Sequence, residues 1–375
     1  MHLAAIALAA AVAGMGQSGP IADRVGQPMA PWAEGTLDIH QIATGRGNSA
    51  FVVMPDGTTL LVDAGGTAAG LARYIDHVLP SAAMRRIDYA VITHLHADHI
   101  GAIAELSGLL PIGKVIDRGW PDYASPAPPT DATVRSYRDF LTARAADRSL
   151  VAERIRVGRN EQIVPLDPSH ARDFDVRGVA ANGEVWTGRG VATEMHFPRL
   201  ATPDPDLPWE NISSIGLKIR YGRFDFFTGG DMYGIPDPGT PSWLDIETPV
   251  ARAIGPTDVH VVNMHGSISV ENPAFLMTLR SRVIIVPSWS PTHPSADVLK
   301  RAMAPRAYPG PRDVFATTLR DPTKLAIGAR ADQLAGIGHI VVRVAKGGGS
   351  YRVVVVDDAT ESLTVKGING PYESQ

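Results

Sequence analysis

The chain reads as an α/β protein built as a four-layer αββα sandwich, two stacked sheets between outer layers of helices. Three observations predict it. A β-meander followed by strand-then-helix order occurs twice along the chain. Several short apolar strand patterns end in a histidine or aspartate beside small residues, the arrangement of a site carried on strand ends. The 375 residues are 44% apolar and 20% charged, enough for a substantial buried core. That length admits one large domain or two. The boundaries read here are a signal peptide over 1–17, a Pro- and Gly-rich linker over 18–35 and one sandwich domain over 36–357. The domain contains an insertion at about 119–190 and a C-terminal β-hairpin, and 358–375 form a tail.

Leu37–Ile42 alternates apolar and polar residues, the pattern of a half-buried strand, and Ala50–Met54 is another. Pro55-Asp56-Gly57 supplies turn residues, and Thr59–Asp63 leads away as the third strand, ending in Asp63-Ala64-Gly65-Gly66. Leu71–Leu79 has helical spacing. The apolar run Tyr89–Ile92 enters the stretch His94-Leu95-His96-Ala97-Asp98-His99, after which Ile100–Leu110 is helical again. Lys114–Asp117 is a strand, and Pro121–Pro129 a proline-rich loop. Thr133–Ala146 is a helix with Thr130 or Asp131 as its N-cap. Within the insertion, Ile163-Val164 and Phe174–Ala181 read as strands, and Asn182-Gly183 as a hairpin turn. The second meander follows: Ser214–Tyr221, a Gly222-Arg223 turn, and Phe224–Thr228 ending in Gly229-Gly230-Asp231. Val259–Val262 ends in Asn263-Met264-His265-Gly266, and Val283–Val286 runs through Ser288 to His293-Pro294. A helix over Ala296–Met303 comes next, then closing strands at Gly338–Val344 and Tyr351–Asp357 joined by Gly347–Gly349.

Composition excludes several chemistries. With no cysteine there can be no disulfide, thiolate metal site or cysteine nucleophile. The net charge is -4 and the basic residues are scattered, so no strong nucleic-acid-binding surface is evident. No stretch is long and apolar enough for a transmembrane segment. Met1–Ala13 resembles a secretory signal, with Ala11-Val12-Ala13 as a cleavage box and almost no positive n-region. The expected location is therefore periplasmic or secreted, or cytoplasmic if that run is not a signal.

Three histidines and an aspartate within six positions, directly behind a buried strand, point to a metal. Imidazole nitrogen and carboxylate oxygen suit zinc, iron and manganese. His94 and His96 are two apart, so on an extended strand end they point the same way; Asp98 and His99, beyond the turn, reach a second ion. If the strand ends meet at one edge, one ion takes His94 and His96, and the other takes Asp98, His99 and His265, with Asp231 bridging. Water between two such ions is a nucleophile at neutral pH. Asp63 is positioned to orient a ligand histidine. His293 is read as a ligand, a proton shuttle or a residue that fixes its loop.

These residues carry a resemblance. His94-Leu-His96-Ala-Asp98-His99 is similar to the signature of the metallo-β-lactamase superfamily, αββα sandwiches that are metal-dependent hydrolases. More narrowly, several segments resemble free-standing proteins similar to the ComEC competence domain. They are Gly45-Arg-Gly47-Asn48, Pro55-Asp56-Gly57, Leu61-Val-Asp63-Ala-Gly65, Asn211-Ile-Ser213, Thr228-Gly-Gly-Asp231, Met264-His265-Gly266-Ser267 and His293-Pro294. The resemblance runs from about Leu37 to Met303. It implies two ions (zinc, with manganese or iron as alternatives), a bridging hydroxide, and hydrolysis of a phosphodiester, ester or amide bond in a small-molecule or oligonucleotide substrate. Asp98 and His293 are the expected catalytic residues. The chain departs from the resemblance in two places. Met264-His265 stands where ComEC-like chains carry two adjacent histidines. The third histidine of the first metal has no clear counterpart; Asn211 stands near its place, and His196 lies further upstream. A lactone, thioester or β-lactam hydrolase is the alternative enzyme. A non-catalytic exported metal-binding protein is the alternative of another class.

Overall fold

A computed structural model describes residues 22–170, 173–200 and 202–375; the expected signal peptide lies outside them. The first half of the chain lays down β1 (Leu37–Gln41), β2 (Ala50–Val53), β3 (Thr59–Val62), α1 (Ala68–Val78), β4 (Ile87–Val91), α2 (Ala97–Ile100), α3 (Ile103–Leu109), β5 (Ile112–Asp117), α4 (Thr133–Ala146) and β6 (Val151–Arg154). The second half adds β7 (Phe174–Ala181), β8 (Glu184–Trp186), β9 (Thr193–Met195), α5 (Trp209–Ile212), β10 (Gly216–Tyr221), β11 (Phe224–Thr228), α6 (Glu247–Ile254), β12 (Val259–Val261), α7 (Pro273–Leu279), β13 (Val283–Val286), α8 (Ala296–Met303), β14 (Asp313–Ala316), α9 (Asp321–Ile327), β15 (Gly336–Ile337), β16 (His339–Val344), β17 (Ser350–Val356) and β18 (Val365–Glu373).

Two sheets result, in the orders β18-β17-β16-β1-β2-β3-β4-β5-β6 and β15-β14-β13-β12-β11-β10-β7-β8-β9. Strand alternation builds the layers. In β3, Leu60 and Val62 face the core between the sheets, where they meet Leu217, Ile219, Phe226 and Ile285 of the second sheet. Leu61 faces the other way, onto the helical layer of α1, α3 and α4 with Leu71, Ile103 and Leu141. The outer face of the second sheet is covered by α6 and α7 through Val250 and Phe275, and by α8 and α9 through Val298, Leu299 and Ile327. The αββα sandwich expected from the alternating patterns is the fold observed. Each sheet begins antiparallel and becomes parallel, from β3 to β6 and from β11 to β15. The parallel strands therefore deliver their carboxyl ends to one edge of the sandwich.

Several expectations are corrected. β1 is buried throughout rather than half-buried, because it lies in the interior of its sheet between β2 and β16. Its polar residues find partners inside: Arg343 donates to Asp38 at 2.9 Å, and His40 Nδ1 lies 3.1 Å from the Tyr74 hydroxyl. Residues 119–190 are not an insertion on the sandwich. Their β6 completes the parallel side of the first sheet and β7 pairs with β10 in the second. Ile163-Val164 is not a strand, although Ile163 is buried between the sheets. The described part of the linker and the tail pair with each other: Gly26 N–H donates to Val365 O at 2.9 Å, and Val365 N–H to Gln27 O at 2.8 Å. β18 then adds to β17, so residues 358–375 contain an edge strand. Short-range patterns do not show the pairing of β1 with β16 or of the linker with the tail, whose partners lie about 300 or more positions away. Helix α4 coincides with its expected span, but Ala132 rather than Thr130 or Asp131 stands at its N-cap; Asp131, one residue earlier, accepts from Thr133 N at 2.8 Å through Oδ1.

One consequence concerns pH. His339 accepts the Ala43 N–H at Nδ1 (3.0 Å), and its burial outweighs the carboxylates of Asp358 and Asp357, lowering its pKa to about 4. A folded-state value below the ordinary 6.5 means that stability is complete above pH 6.5 and is lost as pH falls towards 4, by up to about 3 kcal/mol from this residue. His40, held well below its ordinary range by burial, acts in the same direction. Urea midpoints between pH 7 and 4.5 should fall steeply. His339→Gln, which keeps an acceptor for Ala43, should flatten that fall; an unchanged slope would refute the assignment.

Candidate metal centre

The strand ends expected to carry ligands meet at the parallel edge. After β4 the chain runs extended through Ile92, Thr93 and His94, held by Ile92 N–H to Ile116 O at 2.9 Å and by Ile215 N–H to Thr93 O at 2.9 Å across the two sheets. It then turns into α2, whose first turn carries Asp98 and whose last carries His99. Two close approaches keep this edge compact. Gly47, at φ +78°, has no room for a Cβ against the Asp98 carbonyl. At Gly230, φ +58°, a Cβ would lie 2.7 Å from Thr93 Oγ1. A side chain at either position would push the loop away from the site.

Six side chains form two groups. His94, His96 and Asp231 make one, and Asp98, His99 and His265 the other; within each, the ligand-type atoms lie within 4.8 Å of one another. In the first, His94 Nε2 is 3.1 Å from His96 Nδ1 and 3.7 Å from Asp231 Oδ2. In the second, His265 Nε2 is 3.2 Å from both His99 Nε2 and Asp98 Oδ2. Asp231 Oδ1 faces this second group as well, 3.4 Å from His99 Nε2 and 3.7 Å from His265 Nε2. One carboxylate thus addresses both.

The outer edges of these rings are already committed. His99 Nδ1 donates to Asp63 Oδ2 at 2.7 Å, and His265 Nδ1 to Pro287 O at 3.1 Å. In the neutral rings this leaves bare lone pairs on two Nε2 atoms 3.2 Å apart, an arrangement that a shared cation relieves. The donor set of imidazole and carboxylate, with no thiolate, fits a zinc, manganese or iron ion at each group. The electrostatics agree. Burial disfavours a charge on His99, but Asp63, Asp231 and Asp98 override it and raise its pKa to about 10. Burial also opposes the Asp98 charge, yet the imidazoles of His265 and His99 beside it hold its carboxyl below the ordinary range. His94 is pushed well below its ordinary range by burial and by the imidazoles around it. The site is built to hold positive charge on the second group.

Asp63 is the hub behind His99. It sits fully buried at φ +62° and also accepts from Thr93 N (2.7 Å), Thr93 Oγ1 (2.9 Å) and Asn48 Nδ2 (2.9 Å). His293 stacks on His265 at 5.5 Å with an interplanar angle of 18°, beside Trp289 at 6.1 Å, and its Nδ1 has no hydrogen-bond partner. Burial and the neighbouring His265 lower its pKa to about 4. Asn211 lies on α5, one turn before Ser214, whose Oγ accepts the Asp231 N–H at 3.0 Å; the Asn211 amide oxygen is buried without a partner. His196 belongs to neither group, and its Nε2 is buried without a hydrogen-bond partner.

Four residues of the site carried no sequence signal. Thr93 bridges Asp63 and His94, with its Oγ1 3.2 Å from His94 Nδ1. Glu210, adjacent to Asn211, accepts the Leu95 N–H and is paired with Arg118; Glu247 lies buried beneath the His265 loop. Proximity to a motif could have nominated Thr93 and Glu210. Arg118 and Glu247 stand in unmarked stretches.

The family model of the metallo-beta-lactamase superfamily matches residues 43–210. Among solved structures, CmlA, described as a diiron beta-hydroxylase from Streptomyces venezuelae, is 16% identical, with 84% of this chain and 55% of that one covered and a TM-score of 0.43. Tm1679, a metal-dependent hydrolase of the beta-lactamase superfamily, is 15% identical over 75% of this chain and 95% of its own, at a TM-score of 0.40. A metallo-beta-lactamase from Cronobacter sakazakii is 16% identical over 63% and 78%, at 0.32. The chain thus spans about half the length of CmlA, at 55%. No curated protein matches it. The likeness to the metallo-β-lactamase superfamily thus rests on residues 43–210, less than half of the chain, and the two-sheet sandwich is the fold that this likeness implies.

Proposed function

We propose that this protein is a hydrolase that uses two metal ions to cleave a phosphodiester. The observation that carries the reading is the convergence of six ligand-type side chains into two groups with Asp231 addressing both. His94, His96 and Asp231 would hold one ion, and Asp98, His99 and His265 the other, with Asp231 facing both groups. When bound, a pair of zinc ions (manganese or iron being the alternatives) supplies Lewis-acid polarisation and a nucleophile drawn from water at neutral pH. Asp63 fixes the His99 ring through Nδ1, so that Nε2 faces inward. Asp98, partly open to solvent, orients the attacking water. His293, neutral at pH 7 and free at Nδ1, moves the proton between water and the departing oxygen. Asn211 supports the first half of the site with its unpartnered amide oxygen.

Protein stripped of metal and reloaded separately with zinc, manganese or iron should hydrolyse bis(p-nitrophenyl) phosphate, and Asp98→Ala or His99→Ala should abolish turnover. No metal-dependent cleavage of any phosphodiester would refute this substrate class.

A second reading, a periplasmic lactone, thioester or β-lactam hydrolase, is favoured by the aromatic wall of Trp289 and His293 against His265, which suits an acyl group. Acyl lactones, a thioester and a chromogenic cephalosporin in the same assay separate the two. Tight retention of a single ion with no turnover would favour a non-catalytic metal-binding protein.

A further inference from the structure

We infer that each half of the centre is held in place by its own carboxylate, the half-buried Glu210 for His94 and His96 and the buried Glu247 for His265, so that either half can lose its ion while the other keeps it. This rests on the two-ion reading above. Neither acid is itself placed as a ligand, because the oxygens of both are already occupied by protein donors.

Glu210 Oε1 accepts the Leu95 N–H at 2.8 Å, the amide that lies between the two histidines of the first half. The same carboxylate is gripped bidentately by Arg118, with Nε at 2.7 Å and Nη2 at 2.6 Å. Arg118 is 1% exposed, and its remaining N–H groups reach Ser125 O, Ala127 O and Asn182 Oδ1. Asn182 returns an amide N–H to Arg118 O at 2.6 Å. The pair therefore ties the His94–His96 loop to the loops that follow β5 and β7. Without the carboxylate, Leu95 loses its acceptor and a buried guanidinium loses its counter-charge.

The second half is anchored separately. Met264 and His265 both adopt left-handed backbone, at φ +44° and +53°, which costs roughly 1–2 kcal/mol per residue. Something must hold them there. Glu247, fully buried at the start of α6, accepts Asn263 Nδ2 at 2.8 Å and the backbone N–H groups of Glu271 and Asn272 at 2.9 Å each, closing the segment that carries His265. From α8, Arg301 adds donors to the carbonyls of Ile268 and Val270 at 2.8 Å each. Glu210 and Arg118 bond to residues 95, 125, 127 and 182, whereas Glu247 bonds to residues 263, 271 and 272. The two sets share no member, so neither acid has a direct connection to the half it does not support.

The test is zinc affinity, measured by competition with a chromophoric chelator on the full chain. Two equivalents bound by the unsubstituted protein establish the two-ion reading independently. His265→Ala then isolates the first half and His96→Ala the second, each expected to bind one equivalent. Glu210→Ala should weaken zinc about 10- to 100-fold in the His265→Ala background and leave it unchanged with His96→Ala; Glu247→Ala should do the reverse. Thermal unfolding of the metal-free proteins checks folding. Should an alanine variant fail to fold, Glu210→Gln or Glu247→Gln takes its place, each keeping one acceptor oxygen and expected to show the same selectivity with a smaller loss. Equal losses in both halves, no loss in either, or failure of the single-half proteins to hold one ion each would overturn the inference.

Discussion

Asp231→Ala should empty both halves of the centre at once. Most ligand deletions remove one contact from one ion. Asp231 is different because its two oxygens point to opposite groups, Oδ2 to His94 Nε2 at 3.7 Å and Oδ1 to His99 and His265 at 3.4 and 3.7 Å. Its removal leaves His94 and His96 as a two-nitrogen site and takes the shared negative charge from the second group. The loop itself should survive, since the Asp231 N–H stays bonded to Ser214 Oγ and Met264 N–H to Gly230 O. The expected result is that bound metal falls from two equivalents to less than one after desalting. Hydrolysis should drop on the order of 10³-fold or more, equivalent to about 4 kcal/mol of transition-state stabilisation. Elemental analysis of the desalted protein, alongside circular dichroism, decides it. Retention of both ions at unchanged affinity would show that Asp231 does not bridge.

The largest stability effect is expected from Asp63→Ala. Four donors converge on this carboxylate: Thr93 N, Thr93 Oγ1, Asn48 Nδ2 and His99 Nδ1, all within 2.7–2.9 Å. Alanine would leave all four without an acceptor in a fully buried position, and would strand His99 without the partner chiefly responsible for its raised pKa. Breaking one side of such a buried network costs roughly 3–5 kcal/mol. The φ of +62° adds strain, because aspartate tolerates left-handed backbone better than alanine. Urea unfolding of metal-free protein should show this loss, and zinc should bind more weakly at the second half because the His99 ring is no longer fixed. Asp63→Asn should lose less stability, since one oxygen remains to accept. A loss for Asp63→Ala under about 1 kcal/mol, the size of a single ordinary hydrogen bond, would mean that the network is redundant.

Much of this molecule is legible in its residues because the signals involved are local. The apolar runs that become β4, β11 and β13, the helical spans of α4 and α8 and the Asn182-Gly183 hairpin depend on neighbours a few positions apart. So does the concentration of imidazole and carboxylate between His94 and His99. The expectation that Asp231 and His265 join that cluster also agrees with the geometry, since each follows a buried strand and parallel strands present their carboxyl ends together.

What the residues alone determined was therefore the alternation that makes two sheets, and a His/Asp set suited to holding cations. Tertiary structure decided the rest. β1 looked half-exposed until β16, from the far end of the chain, covered it and Arg343 met Asp38. Residues 119–190 looked like an insertion until β6 and β7 took places in different sheets. Arg118 and Glu247 looked like ordinary charges until folding buried them, and Glu210 until it met Arg118. The physical reason is the same in each case. An ionisable side chain carries no mark of its burial, and its partner lies where the chain returns, 92 positions off for Arg118 and Glu210 and 305 for Asp38 and Arg343. Only the packed fold removes water from both and makes each depend on the other.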